Sequence, residues 1–248
     1  MISIVMPIYN QVAWITESVR CILNQTYKDF ELIIVDDGST DGSTEVLKKF
    51  ADKYPKISYY RKDNGGTGSA LNLGFSHAMG EYGTWISGDN LYNDNMLQKL
   101  LDVLQQHSEC GLIFSSFILD FRKDPDDAMK TKKRRRYCVI GAVSGIMEDF
   151  IFRSASKCIT GICYLFDMNL KRECGDYAEC PGEDYLMGVR MGLKRKVYYL
   201  TDTLGMWQSH ADCVTVKARH IVGMLDDPIL GITVNQMVKN LINTGNVI

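Results

Sequence analysis

The segment Glu31–Ser43 reads ELIIVDDGSTDGS. Leu32 to Val35 is a short apolar run, partly β-branched. Such a run suits a strand buried on both faces, and this favours a parallel sheet over a strand with one wet side. The run stops at Asp36-Asp37-Gly38. Two carboxylates at the end of a buried strand are costly unless water, a donor group or a cation meets them. Open α/β sheets take ligands at that edge, in the crevice beyond the carboxyl ends of the strands. The Gly, Ser, Thr and Asp residues that follow are turn formers, and Asp41 is placed to cap the next helix. On its own the segment fits a polar turn with a helix cap as well as a ligand site.

On either side, strand and helix patterns alternate. Ile2 to Ile8 reads as a strand closed by Pro7-Ile8-Tyr9-Asn10, with Asn10 capping a helix over about 12–24. Helix patterns follow at 43–54, 69–79 and 95–106, and strands at 57–60, 82–86 and 111–119. The loop 63–68, Asp-Asn-Gly-Gly-Thr-Gly, separates the third strand from its helix, and the fourth strand ends in Ser87-Gly88-Asp89-Asn90. This repetition predicts a Rossmann-like, mostly parallel sheet flanked by helices, in the α/β class.

The second half is less regular. Asp120 to Arg136 is polar and ends in a basic run from Lys130, which reads as a mobile surface loop: a solvated face, or a helper for an anionic acceptor or membrane surface. A helix is expected over 139–152, a strand or pocket wall over 156–166, and a helix from Pro181 to about Gly192. Strands are expected over 197–200 and 204–210, then mostly helix from Lys217 to about Leu241. One domain of 1–248 results: a ligand-binding half (1–119), a smaller second half (120–216) and a C-terminal helical extension (217–248), through which oligomers can form.

Composition narrows the classes. Of 248 residues, 46% are apolar, enough for a substantial core, and the net charge of −2 predicts no bulk attraction to nucleic acid or membrane. No apolar run approaches a spanning helix, and the opening residues lack the basic region of a signal peptide. These features lead to a soluble, cytoplasmic expectation with peripheral membrane contact left open. The eight cysteines form no C-x-x-C pair, so free thiols are expected rather than zinc. A dinucleotide-dependent oxidoreductase would need a glycine-rich turn after the first strand, and none is present.

The parallel sheet lines up Tyr9, Asp37 and Asp89 along one edge. A nucleotide base can stack on Tyr9 while Asp37 accepts its imide proton. Asp89 can hold a divalent cation bridging a diphosphate, since Mg²⁺ and Mn²⁺ are often held by one or two carboxylates plus phosphates. Each residue also has a plainer reading: core cover for Tyr9, a helix cap for Asp37 and a turn start for Asp89.

The ordered set Pro7-Ile8-Tyr9-Asn10, Asp36–Ser43, Asn64-Gly65-Gly66, Gly80-Glu81-Tyr82, Asp89 and Gly182-Glu183-Asp184 resembles the family 2 glycosyltransferases of the GT-A fold, from Met1 to about His210. The resemblance implies a nucleotide-diphosphosugar donor, usually a UDP-sugar, with a glycan, lipid-linked or protein acceptor. It also implies Mn²⁺ or Mg²⁺ and inversion at the anomeric carbon. Pro7, Tyr9, Asn10, Asp37, Asn64, Gly65, Gly66, Ser87, Asn90, Glu183 and Trp207 then face the donor. Asp89 is the metal-binding acid of the family's Asp-x-Asp motif, and His210 is the late histidine near the leaving diphosphate. The chain departs from the motif at its first acid, which is Ser87 here, and at the following position, Asn90. Asp184 is the candidate base, in the first turn of a helix whose positive end favours its ionised form. Trp207 stacks on a sugar or belongs to the core. The alternative is a catalytically weak or inactive sugar-nucleotide-binding protein.

Overall fold

The computed structural model describes residues 1–120, 134–137, 144–147, 162–179, 182–208 and 210, with only the backbone of 119, 134–137 and 185. The first half alternates β1 (Ile2–Ile8), α1 (Ile15–Leu23), β2 (Phe30–Asp36), α2 (Ser43–Lys53), β3 (Ile57–Arg61), α3 (Gly66–Ser76) and β4 (Tyr82–Trp85). Then come β5 (Leu91–Tyr92), α4 (Met96–Gln106), β6 (Cys110–Asp120), β7 (Arg134–Tyr137), β8 (Gly145–Ile146) and β9 (Tyr164–Asp167). The helices α5 (Met168–Cys174) and α6 (Glu183–Lys194) lead into the long strand β10 (Lys196–Gln208).

One sheet runs β3-β2-β1-β4-β9-β6-β10-β5, with β7 on β6 and β8 on β10. β1, β2, β3 and β4 pair in parallel, as do β6 and β10. β9 lies antiparallel between β4 and β6, so β6 and β10 point the same way as the first block. The carboxyl ends of β1, β2, β4, β6 and β10 therefore share one edge.

Both faces of the sheet are covered, as the Leu32–Val35 run requires. Ile4 and Met6 of β1 and Leu32 and Ile34 of β2 pack with Ile15, Val19, Leu47, Leu97 and Leu100 from α1, α2 and α4. Val5, Ile33 and Val35, offset by one residue, pack with Ala70, Leu71 and Phe75 of α3 and with Met187 and Met191 of α6. Burying each large side chain contributes roughly 1.5–3 kcal/mol. Gly74 brings α3 onto the sheet; a Cβ there would overlap Val5 Cγ1 and press on Val35 Cγ2 at 3.3 Å.

Several element bounds differ from expectation. α1 begins at Ile15, not near Val12, and Asn10 does not cap it: its Oδ1 accepts from Thr40 N–H at 2.8 Å, and its φ is 52°. Asp41 accepts from Ser43 N–H, while Gly42, at φ 95°, takes the cap position of α2. α3 starts at Gly66, so the glycine loop forms part of its first turn. The two late strands are one, β10, with register breaks between Leu200 and Thr203 and between Thr203 and Met206. Residues 134–136 lie in β7 rather than in a loop, and 145–146 in β8 rather than in a helix. The remainder of the helix expected over 139–152, and the C-terminal extension 217–248 with its oligomer surface, lie outside the described residues. No helix among the described residues is long and apolar enough to cross a membrane.

Candidate functional site

The first group of rim residues forms around the β2–α2 turn, and Asp36 and Asp37 divide the work. Asp36 is fully buried. Its carboxylate accepts from Ser39 N–H at 2.8 Å, Thr44 Oγ1 at 2.5 Å and Tyr59 Oη at 2.8 Å. Burial alone would raise its pKa, but the hydrogen bonds from Thr44, Ser39 and Tyr59 outweigh it and hold the carboxyl below its ordinary range. Asp36 is thus the structural acid that closes the turn.

Asp37 turns toward the loop after β3. Its Oδ1 accepts from Lys62 Nζ at 2.9 Å and Gly65 N–H at 3.0 Å, and its Oδ2 accepts from Gly66 N–H at 2.8 Å. The carboxylate caps the start of α3, where the unpaired N–H groups and the helix dipole favour negative charge. Oδ2, with one partner, keeps a lone pair for a further donor. Tyr9, just beyond β1, is 49% exposed, and Asn64 is also exposed. Pro7 pairs with Val35 inside the β1–β2 ladder. Asp37 thus meets Gly65 and Gly66, Asn10 meets Ser39 and Thr40, and Pro7 and Tyr9 lie at the end of β1 and Asn64 in the loop after β3.

The second group forms at the end of β4. Asp89 is buried; its Oδ1 accepts from Ser87 Oγ, and its Oδ2 lies 3.2 Å from His210 Nε2. The 121-residue separation of this pair is closed by β10, whose final residue Gln208 donates through Nε2 to the Asp89 carbonyl at 2.8 Å. Asn90 is used structurally. Its carbonyl accepts from Ser18 Oγ at 2.6 Å, and its Oδ1 accepts from Gln208 N–H at 3.2 Å. The His210 ring stacks on Trp14, with centroids 4.4 Å apart and planes 18° from parallel. Trp207 packs against the core with its ring 6.3 Å from Phe117.

A cation fits here on the chemistry of the donors. A carboxylate and an imidazole face each other, with a serine hydroxyl on the same carboxylate. Among the described residues no cluster of three or more His, Cys, Asp or Glu would enclose a metal by itself. Asp89 and His210 would supply two ligands to a divalent cation, and a phosphate substrate would supply others.

The third group opens α6. Gly182, at φ 89°, precedes Glu183 and Asp184 in the first turn. Asp184 lines a small cavity with Leu112, Tyr164, Tyr177, Met187, Gly188 and Met191. Desolvation, then the charge of Asp184, pushes Glu183 up to about 7. The approach to α6 is fastened to α3: Asn72 accepts from Tyr177 N–H at 2.8 Å and donates to its carbonyl at 3.0 Å. Next to it, the Ala178 carbonyl rests on Gly68, leaving no room for a Cβ. The helix that Asp37 caps therefore also seats the chain just before Asp184. Tyr92 belongs to the second group. Its hydroxyl accepts from Ser87 N–H at 3.2 Å. Burial, then the charges of Cys163 and Asp89, raises its pKa well above the ordinary value. The buried Tyr164 is raised in the same way, with Tyr177, Asp184 and Tyr92 adding to desolvation.

Sequence reasoning missed Trp14, Lys62, Tyr92 and Gln208. Gln208, two residues before His210, carried a usable signal. Lys62 carried one as well, as the residue just beyond the third strand. Trp14 and Tyr92 carried none, because each meets its partner only through tertiary packing.

Comparison with known proteins places the chain in a family. The family model for glycosyl transferase family 2 matches residues 3–159. An uncharacterized glycosyltransferase of Rickettsia conorii is 43% identical over 108 residues, covering 43% of this chain and 17% of that protein. The chain thus spans a minor part of the curated relatives it matches. Staphylococcus aureus TarS (1–349), solved in complex with UDP, superposes with a TM-score of 0.65 at 17% identity, covering 85% of this chain and 61% of TarS. The mannosyltransferase PcManGT from Pyrobaculum calidifontis, in complex with GDP-Man and Mn²⁺, gives 0.62 at 19% identity, covering 89% and 59%. With a family match over more than half its length and the GT-A arrangement of its sheet, the chain belongs to glycosyl transferase family 2.

Proposed function

We propose that this chain moves a sugar from a nucleotide-diphosphosugar donor, a UDP-sugar by preference, to an acceptor hydroxyl with inversion, and that Asp184 is the base. The observation that carries the reading is the meeting of Asp89 and His210 at the rim where β1 and β2 also end. TarS solved with UDP and PcManGT solved with GDP-Man and Mn²⁺ support a nucleotide sugar and a divalent ion.

The half-exposed ring of Tyr9 offers the base a stacking surface, and Asp37 Oδ2 accepts a base N–H. Lys62 and the N–H groups of Gly65 and Gly66 hold that carboxylate in place. Asp89 and His210 would hold Mn²⁺ or Mg²⁺. When bound, the ion neutralises charge on the departing diphosphate, an effect worth several kcal/mol as a rough scale. Asp184 accepts the acceptor's hydroxyl proton as the oxygen attacks the anomeric carbon and the bond to the diphosphate breaks. A positioned base of this kind gives about 10²–10⁴-fold.

A binding-only protein is the second reading, favoured by Ser87 in place of an acid and by the structural use of Asn90. Donor hydrolysis and transfer, measured with a panel of nucleotide sugars, separate the two. Under the transferase reading, Asp184→Asn abolishes turnover with donor affinity nearly unchanged, and EDTA abolishes activity in the wild type. Full activity of Asp184→Asn removes the base, activity in EDTA removes the metal, and no turnover of any donor leaves the binding-only reading.

A further inference from the structure

The start of α1 reaches the His210 ring and the residue that follows Asp89. Ser18 Oγ donates to the carbonyl of Asn90, next to Asp89, at 2.6 Å. Trp14, one turn earlier and 7% exposed, lies flat against the His210 ring at 4.4 Å. The backbone around Trp14 is fixed in turn. Trp14 N–H donates to the Gln11 carbonyl at 2.9 Å, and the Trp14 carbonyl accepts from Glu17 N–H at 3.1 Å. Gln11 N–H donates to Ser43 Oγ at 3.1 Å and Val12 N–H to Asp41 Oδ2 at 2.9 Å, so the turn is fastened to the start of α2. The indole is a buried, anchored plane, whereas His210 is a ring that must present one nitrogen toward Asp89.

We infer that Trp14 is a positioning residue for the cation site, holding the His210 imidazole in the plane from which Nε2 reaches the ion shared with Asp89. This inference rests on the reading of Asp89 and His210 as the cation pair. Trp14 contributes no ligand atom, since an indole N–H only donates. Its contribution is to remove the alternative orientations of the histidine ring. Hydrogen-bonded partners that orient a metal-binding histidine typically matter 10–100-fold for metal affinity, and a stacked ring that fixes the same orientation is set at the lower end of that range.

Mn²⁺ affinity is measured by calorimetry in the presence of UDP for the wild type, Trp14→Leu and Trp14→Phe. UDP affinity in EDTA and the melting temperature are recorded for each. The wild type is expected to bind Mn²⁺ and to show paramagnetic quenching of Trp14 emission that Mg²⁺ does not produce. Trp14→Leu is expected to bind Mn²⁺ about ten-fold or more weakly while binding UDP in EDTA like the wild type. Trp14→Phe, which keeps an aromatic face, is expected to stay within about three-fold of the wild type. Wild-type Mn²⁺ affinity in Trp14→Leu overturns the inference. Equal loss of melting temperature and UDP binding in both variants also overturns it, by reducing Trp14 to packing. Absence of Mn²⁺ binding by the wild type itself removes the cation pair and the inference with it, while UDP binding in EDTA leaves the nucleotide site standing.

Discussion

Replacing Glu183 by Gln stabilises the protein at neutral pH and has no effect in mild acid. The carboxyl titrates near 7 in the folded chain instead of at its ordinary 4.5, because burial withdraws it from water and Asp184 stands beside it. Below about pH 4.5 the group is protonated in both folded and unfolded chains and costs nothing. Between 4.5 and about 7 only the unfolded chain releases the proton, so the wild type loses stability at up to roughly 1.4 kcal/mol per pH unit. The loss is complete above about pH 7, where it reaches at most roughly 3 kcal/mol. Gln keeps a carbonyl oxygen for the helix N–H groups and carries no charge, so it avoids this loss. Urea unfolding of both chains, followed by circular dichroism between about pH 4.5 and pH 8, reads the difference directly, and the other titrating groups cancel. A gap between the two chains that is the same at every pH, or that widens toward acid, refutes the account of Glu183 as a buried acid held neutral.

Asp36→Ala is expected to destabilise the fold by about 2–4 kcal/mol at neutral pH, since Ser39 N–H and the Thr44 and Tyr59 hydroxyls lose their shared acceptor. Its carboxyl is held low in the folded chain, so this difference is present above the unfolded carboxylate value and fades as pH falls through the folded one; denaturant melts at neutral and acid pH check both points. Gly74→Ala raises helix propensity by about 1 kcal/mol, yet overpacking at Val5 and Val35 costs about 1–3 kcal/mol, so a lower melting temperature is expected. A rise in melting temperature would show that the sheet gives way easily at that point.

The first block of the fold was legible because its strands announce themselves locally. The Leu32–Val35 run and its neighbours have both faces buried, and their helices carry apolar residues at helical spacing. The rim acids followed, since a parallel sheet puts Asp37 and Asp89 at one edge whatever the loops do. Tertiary partners hid the rest. Asn10 looked like a cap but serves Thr40, which lies 30 residues away. Gly65 and Gly66 are poor helix formers, and α3 begins there because Asp37, just beyond β2, accepts from both N–H groups. β9 inserts antiparallel between β4 and β6, and no local signal in Tyr164–Asp167 encodes that placement. Trp14 read as one more residue of an amphipathic helix, and only the return of the chain at His210 gives it a partner.

The late arrival of β9 bears on how the protein is made. β4 and β6 are complete by residue 120, but the strand that joins them spans Tyr164–Asp167. During synthesis the ribosome thus exposes two unfinished sheet edges for the time it takes to add more than forty residues. Unpaired edges of this kind invite pairing with other chains. A nascent fragment ending near Asp120 therefore carries an open seam that closes only when Tyr164–Asp167 has been added.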